Sequence, residues 1–311
     1  MKLFGNTGAC LGIFLLMLMP GWAQQDPVME LILLGTGYPY PSADRAGPSC
    51  AVVVGDSVFI VDAGRGVGMR VAAAGFPWSS IRSVFITHLH SDHIDGLPDL
   101  FHSSWQFGSG RPFNLYGPKG IRKVADGILQ FYESDIHIRR DLTEKLPAAG
   151  TGINTFTIEA GTVYRFHDTV SITAFAVNHH PVEPAFGFRF DAGPNSIVIS
   201  GDTRPDPNLD RFARDADILV HEAYVDGNAA SAGDESHPWT IYDYHSSARE
   251  AGETAEKANV KILVLTHLIP GNAPERIFLE EAGKAFRGKI IVGRDLMRIR
   301  VPDSANEEVE E

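Results

Sequence analysis

THLHSDHIDG, residues Thr87–Gly96, places three histidines and two aspartates within eight residues. Imidazole nitrogen and carboxylate oxygen are natural ligands of zinc and its neighbours. The apolar run just before it, IRSVFIT, reads as a buried strand that delivers the motif to a sheet edge. His88, His90, Asp92 and His93, spaced H-x-H-x-D-H, are therefore candidate metal ligands. Adjacent side chains such as Asp92 and His93 do not turn easily onto one ion together with two upstream histidines. Either a second site shares them or distant residues complete the shell. Asp95 has no assigned role and reads as a solvated or loop-capping residue.

Other apolar runs end in the same way. ITAFAVN ends at His179 and His180, SIVISG at Asp202, ILV at His221 and Glu222, and KILVLT at His267. Side chains at the C-terminal ends of strands in one sheet system converge on one edge. Counting then predicts a centre of two divalent metal ions, zinc being the first choice. One ion takes His88, His90 and His179, the other takes Asp92, His93 and His267, and Asp202 bridges them. Three protein ligands and a shared carboxylate leave each ion open to a water, as in catalytic rather than structural sites.

The rest of the chain agrees with an α/β fold. MELILLGTG and CAVVVGDSVFIVDAG read as strands, the latter two joined by a hairpin at Gly55-Asp56. GVGMRVAAAG reads as a helix. GPKGIRKVADGILQFYESD reads as an amphipathic helix with Ile121, Val124, Ile128 and Phe131 on one face. TFTIEAGTVYRFHDTVSITAFAVNHH returns to strands, and SIVISGD, ADILVHEAY, VKILVLTH and KIIVGRDLMRIRV are later ones. Helices in SSAREAGETAEKA and APERIFLEEAGKAF separate these. Strands followed by helices, twice over, predict two βα halves packed sheet to sheet with helices outside. The GTG at Gly35–Gly37 is a turn after the first strand, since no third glycine or helix start follows.

Lys2, the apolar run LGIFLLMLM, and Gly21 and Ala23 three residues and one residue before a cut after Ala23 read as a secretory signal over 1–23. The run is shorter than the roughly 20 residues of a spanning helix. The expectation is a periplasmic or secreted protein with no stable membrane association once the signal is removed. That cut leaves Cys50 as the only cysteine, so no internal disulfide can form. The folded domain is expected over 29–301, and the acidic tail 302–311, PDSANEEVEE, as disordered. With 27 basic and 39 acidic residues the formal net charge is −12, which does not favour a polyanion-binding surface.

LGTGYPYPSADRAGPS, VDAGRG, THLHSDHIDGLP, HHPVEPAFGFRF, SGDTRPDP, HEAY, YDYHSSAREAGETAEKANVKILVLTH and VGRDLMRI together give the chain a clear resemblance. It resembles the metallo-β-lactamase superfamily of hydrolases, in the branch that holds tRNase Z (ribonuclease Z) and the exported arylsulfatase- and phosphodiesterase-like enzymes. The resemblance implies a four-layer αβ/βα sandwich with two zinc ions at its edge. It aligns His179 with the family's third-motif ligand and leaves His180 as a residue lining the pocket or capping the strand. It makes His245 a substrate-side catalytic residue oriented by Glu222, with Asp92 handling the proton of a metal-bridging hydroxide. Asp62 then supports the ligand loop by hydrogen bonds, and His221 stands behind the ligands.

The interval between His179 and Asp202 is a strand, a turn and a strand, with no room for the arm by which bacterial tRNase Z members grip tRNA. With the signal and the acidic charge, this predicts a small anionic ester, an arylsulfate or phosphodiester, and not nucleic acid, as the partner. A homodimer is compatible with this reading. Arg204 is a candidate anion-binding group, and Trp239, Tyr242 and Tyr244 a candidate pocket wall. The alternatives are a ribonuclease Z-type tRNA 3′ endonuclease, a lactonase, and a non-catalytic metal-binding module.

Overall fold

The structure is a computed structural model that describes residues 28–301 except 109, 162, 167–168 and 226–240. The signal, the acidic tail and Trp239 lie outside the described residues. Among those described, the strands in chain order are β1 (Met29–Gly35), β2 (Ser49–Val54), β3 (Ser57–Val61), β4 (Ile81–Phe85), β5 (Phe113–Gly117), β6 (Ile153–Thr157) and β7 (Val163–Phe166). They continue as β8 (Val170–Val177), β9 (Ala185–Ala192), β10 (Asn195–Ile199), β11 (Ile218–Tyr224), β12 (Ile262–Ile269), β13 (Lys289–Val292) and β14 (Arg298–Arg300). One sheet has the order β14-β1-β2-β3-β4-β5-β6 and the other β13-β12-β11-β10-β9-β8-β7.

The strands read as near-continuous apolar runs because both of their faces are buried. Leu31, Leu33, Val52, Phe59 and Phe85 of one sheet meet Phe188, Phe190, Val220 and Val264 of the other between the sheets. Alternate residues point outward, Ile32, Ile60 and Val84 to the helices Leu97–Phe107 and Ile121–Phe131. Val198, Leu219 and Leu263 point to the helices Ala248–Lys257 and Glu275–Gly283. The result is the four-layer αβ/βα sandwich expected. Each sheet has an antiparallel part and a parallel part, β3 to β6 and β10 to β13. Parallel strands end together, and their C-terminal ends, joined by that of the antiparallel β8, carry the histidines and carboxylates of interest.

The hairpin at Gly55 forms as predicted, with φ of 54° at that glycine. In the helix Ile121–Phe131, Ile121 and Ile128 are buried, but Phe131 is 77% exposed. At about 100° per residue it lies roughly 80° from Ile121, on the margin of the apolar stripe, whereas Ala125 and Ile128 fall within about 40° of Ile121 and are buried. The last predicted strand is two. β13 closes one sheet and β14 the other, with Leu296 at φ 67° in the crossing between them. Asp295 fixes that crossing by accepting from Thr36 N at 3.0 Å, Thr36 Oγ1 at 2.8 Å and Ala46 N at 2.7 Å. Hydropathy has no means of telling which sheet a strand joins.

The aromatic centre of the sandwich is a tight cluster in which Phe85 lies 5.5 Å from Phe188 and 6.2 Å from Phe190, both edge to face. Phe190→Ala should therefore cost about 3–5 kcal/mol, because the fully buried ring would leave a cavity between two sheets. Phe131→Ala should stay within about 0.5 kcal/mol of the parent. Urea titration of both variants measures the difference, and equal midpoints would contradict this account of the core.

Candidate metal centre

β4 runs into Ile86, Thr87 and His88, and the chain then turns into the short helix Ser91–Ile94, with His90 at its N-cap in extended conformation. This bend resolves the crowding seen in the sequence. His88 and His90 precede the helix, whereas Asp92 and His93 lie inside it, both buried. Asp62, at the end of β3 with φ 60°, holds the turn from below. Its carboxylate accepts from Thr87 N at 2.8 Å and from Thr87 Oγ1 at 2.9 Å, and lies 2.8 Å from His93 Nδ1. Gly64 lets the two loops touch, since a Cβ there would lie 2.5 Å from the Asp92 carbonyl oxygen.

The second sheet supplies the other groups. Gly201, at φ 63°, turns the chain after β10 so that Asp202 points back between the sheets. Along β11 the alternation sends Glu222 to the inter-sheet side and His221 to the helix side. In β12, Glu222 pairs with Thr266 but Ala223 pairs with Leu268, so His267 is the extra residue of a bulge, at φ 45°. A bulge re-aims a side chain, and here it sends the imidazole into the centre.

The distances define two clusters around one carboxylate oxygen. His90 Nδ1 lies 2.9 Å from His88 Nε2 and 3.2 Å from His179 Nε2. Asp202 Oδ2 is 3.7 Å from His88 Nε2 and 4.0 Å from His179 Nε2. On the other side Asp202 Oδ2 is 3.1 Å from His93 Nε2 and 3.4 Å from His267 Nε2. Asp92 Oδ2 stands 3.6 Å from His93 Nε2 and 3.3 Å from His267 Nε2. Ligand atoms of a tetrahedral zinc site are about 3.3 Å apart. These donors therefore fit a cation in each cluster, and facing ring nitrogens are what a shared cation explains. The outer nitrogens are held too: His179 Nδ1 by the Tyr244 carbonyl at 2.9 Å and His88 Nδ1 by Thr87 Oγ1 at 3.0 Å. Such partners orient metal-binding rings.

Electrostatics make the centre electron-rich. Burial favours the neutral forms of His88 and His179, the latter with its pKa pushed down to about 4. Burial alone would raise Asp202, but His267 and His93 beside it hold its carboxyl well below the usual range. Burial opposes charge on His93 as well, yet Asp202, Asp62 and Asp92 raise its pKa well above an ordinary histidine's. A metal ion entering this cluster displaces that proton.

His245 and Glu222 form a pair beside these clusters, close enough to Asp202 and His267 for the four to make a further group of possible ligands. His245 Nδ1 lies 2.5 Å from Glu222 Oε2, and Glu222 Oε1 accepts from Thr203 N at 2.6 Å. Burial and then Asp202 raise the Glu222 pKa, and burial lowers that of His245. Both directions favour one proton shared in a neutral pair. His245 is not the cap of the helix that follows: Ser247 is, in a capping box with Glu250.

Other sequence-predicted residues fall outside the cluster. His180 turns to solvent, its side chain 57% exposed and 3.3 Å from Glu183, so it neither joins the ligands nor lines the pocket. Arg204 lies outside the ligand clusters, its Nη2 3.4 Å from the His180 carbonyl and its buried Nε without a hydrogen-bond partner among the described residues. His221 is fully buried among the helix-side groups. Asp95 pairs with Arg65 at the surface at 2.9 Å. Tyr244 does stand at the centre, 5.3 Å from His179 and 4.8 Å from His245 between ring centroids. Tyr242 instead packs on Tyr224 at 4.8 Å. The Tyr244 carbonyl as a partner of His179 carries no signal in the sequence.

A family profile described as the beta-lactamase superfamily domain matches residues 58–268. The chain belongs to the metallo-β-lactamase superfamily. A Mycobacterium sp. (strain KMS) protein named ribonuclease Z is 39% identical over 282 residues, 88% of this chain and 96% of that relative. A Mycobacterium bovis (strain BCG / Pasteur 1173P2) protein of the same name is 39% identical over 283 residues, 88% of this chain and 99% of its own length. Human tRNase Z, short form, superposes with a TM-score of 0.64 at 25% identity, covering 88% of this chain and all of its own. The metallo-β-lactamase fold protein YhfI from Bacillus subtilis superposes at 0.66 with 24% identity, covering 88% and 100%, and speaks for the fold alone.

These relatives correct the expected substrate. The small anionic ester, with arylsulfate as a candidate and nucleic acid set aside, rested on the missing arm, the signal and the net charge. Relatives named ribonuclease Z align over 96% and 99% of their own length with 88% of this chain, in 282 and 283 positions, which leaves no room for a long insertion that it lacks. An absent arm therefore does not separate the chain from them. A net charge of −12 is a property of the whole surface, whereas a phosphate group meets the field of the centre it enters.

Asp202→Ala should deplete metal from both clusters, and His180→Ala should leave metal content unchanged. Elemental analysis of the purified variants measures both, and full metal content in Asp202→Ala contradicts the shared carboxylate.

Proposed function

We propose that this chain is a metal-dependent phosphodiesterase of the ribonuclease Z type that cuts RNA. In this reading His88, His90 and His179 hold one divalent ion, Asp92, His93 and His267 hold a second, and Asp202 serves both. The observation that carries it is Asp202 Oδ2 lying within 4.0 Å of the imidazoles of His88, His93, His179, His245 and His267. The 39% identity to proteins named ribonuclease Z supports RNA as the substrate. Imidazole and carboxylate donors without thiolates suit zinc, and also manganese or iron.

Divalent ions bound there would lower the pKa of a water toward about 7 and offset the charge of a phosphodiester. The chain's own groups do the rest. Burial would raise the Asp92 carboxyl, but His93 and then His267 hold it below the usual carboxylate range, so it is ionised and can take a proton from attacking water. Glu222 occupies His245 Nδ1 and fixes the tautomer, leaving Nε2 to hydrogen-bond or protonate the oxygen on which charge develops. Glu222 is thus a positioning residue and His245 the group that meets substrate.

Precursor tRNA, a nitrophenyl phosphodiester, a nitrophenyl sulfate and a lactone, each offered to zinc-loaded protein, test the reading. RNA cleavage abolished by chelation and restored by zinc is expected. Turnover of the sulfate or lactone with intact RNA overturns it. His245→Ala should lower kcat by about 10²–10³ and keep its metal, which separates a substrate-side histidine from a ligand.

We also propose that residues 1–23 direct export. The charged start, apolar run and small residues before the cut support this. N-terminal sequencing of protein from fractionated cells should find Gln24 first, in the exported fraction. An intact Met1 in the cytosol overturns it.

A further inference from the structure

A stacked pair of tyrosines, with no part in the chemistry described above, stands at the rim of the centre. Tyr38 and Tyr40 lie 6.3 Å apart between ring centroids at an interplanar angle of 24°. Tyr38 is half-buried, whereas Tyr40 is 70% exposed. An exposed ring of this size, stacked on a second ring, offers an open aromatic face to whatever approaches.

Two features tie this pair to the mouth of the centre. On one side the Tyr38 ring lies against Gly271, where a Cβ would come within 3.4 Å of it, four residues beyond His267. On the other side the Thr36 carbonyl, two residues before Tyr38, accepts from Leu268 N at 3.1 Å, the residue next to His267. At the histidines themselves the Tyr244 ring borders His90, His179 and His245.

The rim is also rigid. Tyr40 sits between Pro39 and Pro41, whose rings fix φ and remove conformational freedom from the segment. The base of the segment is closed by Gly37 N donating to the Ala46 carbonyl at 2.8 Å and by Asp295 accepting from Thr36 N and Ala46 N. Arg45 adds donations to the carbonyls of Gly271 at 3.1 Å and Gly293 at 2.7 Å. A ring held in place before its ligand arrives loses little entropy on binding.

We propose that the Tyr38–Tyr40 pair is a stacking platform for one unpaired nucleobase of the RNA, beside the phosphodiester being cut. The proposal rests on the ribonuclease reading above. Stacking suits this place because every base has a π-face and none needs a specific hydrogen-bond partner. It also supplies contact without positive charge, which an acidic chain with no long arm has reason to use.

The test combines Tyr40→Ala and Tyr40→Trp with RNA substrates carrying one abasic nucleotide at each position flanking the cut. Tyr40→Ala should raise KM for intact RNA about ten-fold with kcat kept within two-fold, and Tyr40→Trp should retain the parent KM. At one position the abasic substrate should raise the parent's KM by a similar factor and have no further effect in Tyr40→Ala, the non-additivity of partners in contact. Additive effects, or an unchanged KM in Tyr40→Ala, overturn the platform while RNA cleavage by the parent keeps the ribonuclease reading intact. If the parent cleaves a nitrophenyl phosphodiester but no RNA, the ribonuclease reading falls and the platform with it.

Discussion

The carboxylate of Asp202 is 3% exposed and surrounded by histidines, and the rest of the structure is arranged around that constraint. An ionised carboxylate buried without compensation is costly. Here His93 and His267 offset the cost from one side, and the neutral rings of His88 and His179 stand on the other. The groups come from strand ends of both sheets, so the aromatic core that sets the sheets face to face also sets the centre. Phe85, in that core, is only three residues from His88 in the chain.

Convergence of this kind requires local departures from regular structure. Asp62 adopts a left-handed conformation and spends its carboxylate on Thr87 and His93, so the loop is held by a group that faces away from the site proper. His267 leaves the β11–β12 ladder in a bulge at positive φ. Each conformation is unfavourable in isolation, and strained backbone of this sort gathers at functional sites because the surroundings over-determine it. The Glu222–His245 pair is another case: a buried carboxyl kept near a buried imidazole, each favouring its neutral form.

Substrate choice shows how a sound inference from composition can point the wrong way. Net charge and the short interval between His179 and Asp202 are both facts of the chain, yet relatives named ribonuclease Z share the compact length. What enters a metal centre depends on the local field and on the shape of its rim. The rim here is aromatic, with Tyr244 at the histidines and Tyr38 and Tyr40 further out.

That a cluster of side chains able to bind metal exists, and which strand ends build it, is legible in the chain alone, because histidines and aspartates terminate apolar runs at His88, His179, Asp202 and His267. The doubly buried strands also made the layered fold legible, since period and apolar content are local properties. The helix Leu97–Phe107 and β5, which escaped notice, have mixed patterns whose burial depends on partners far along the chain. The resemblance favoured His179 over His180, and the fold turns the first ring into the cluster and the second to solvent. Long-range packing alone set the split of β13 and β14 between sheets and the Tyr244 carbonyl behind His179. These are long-range choices, made by contacts such as that of Thr36 with Asp295, 259 positions apart, and no local pattern encodes them.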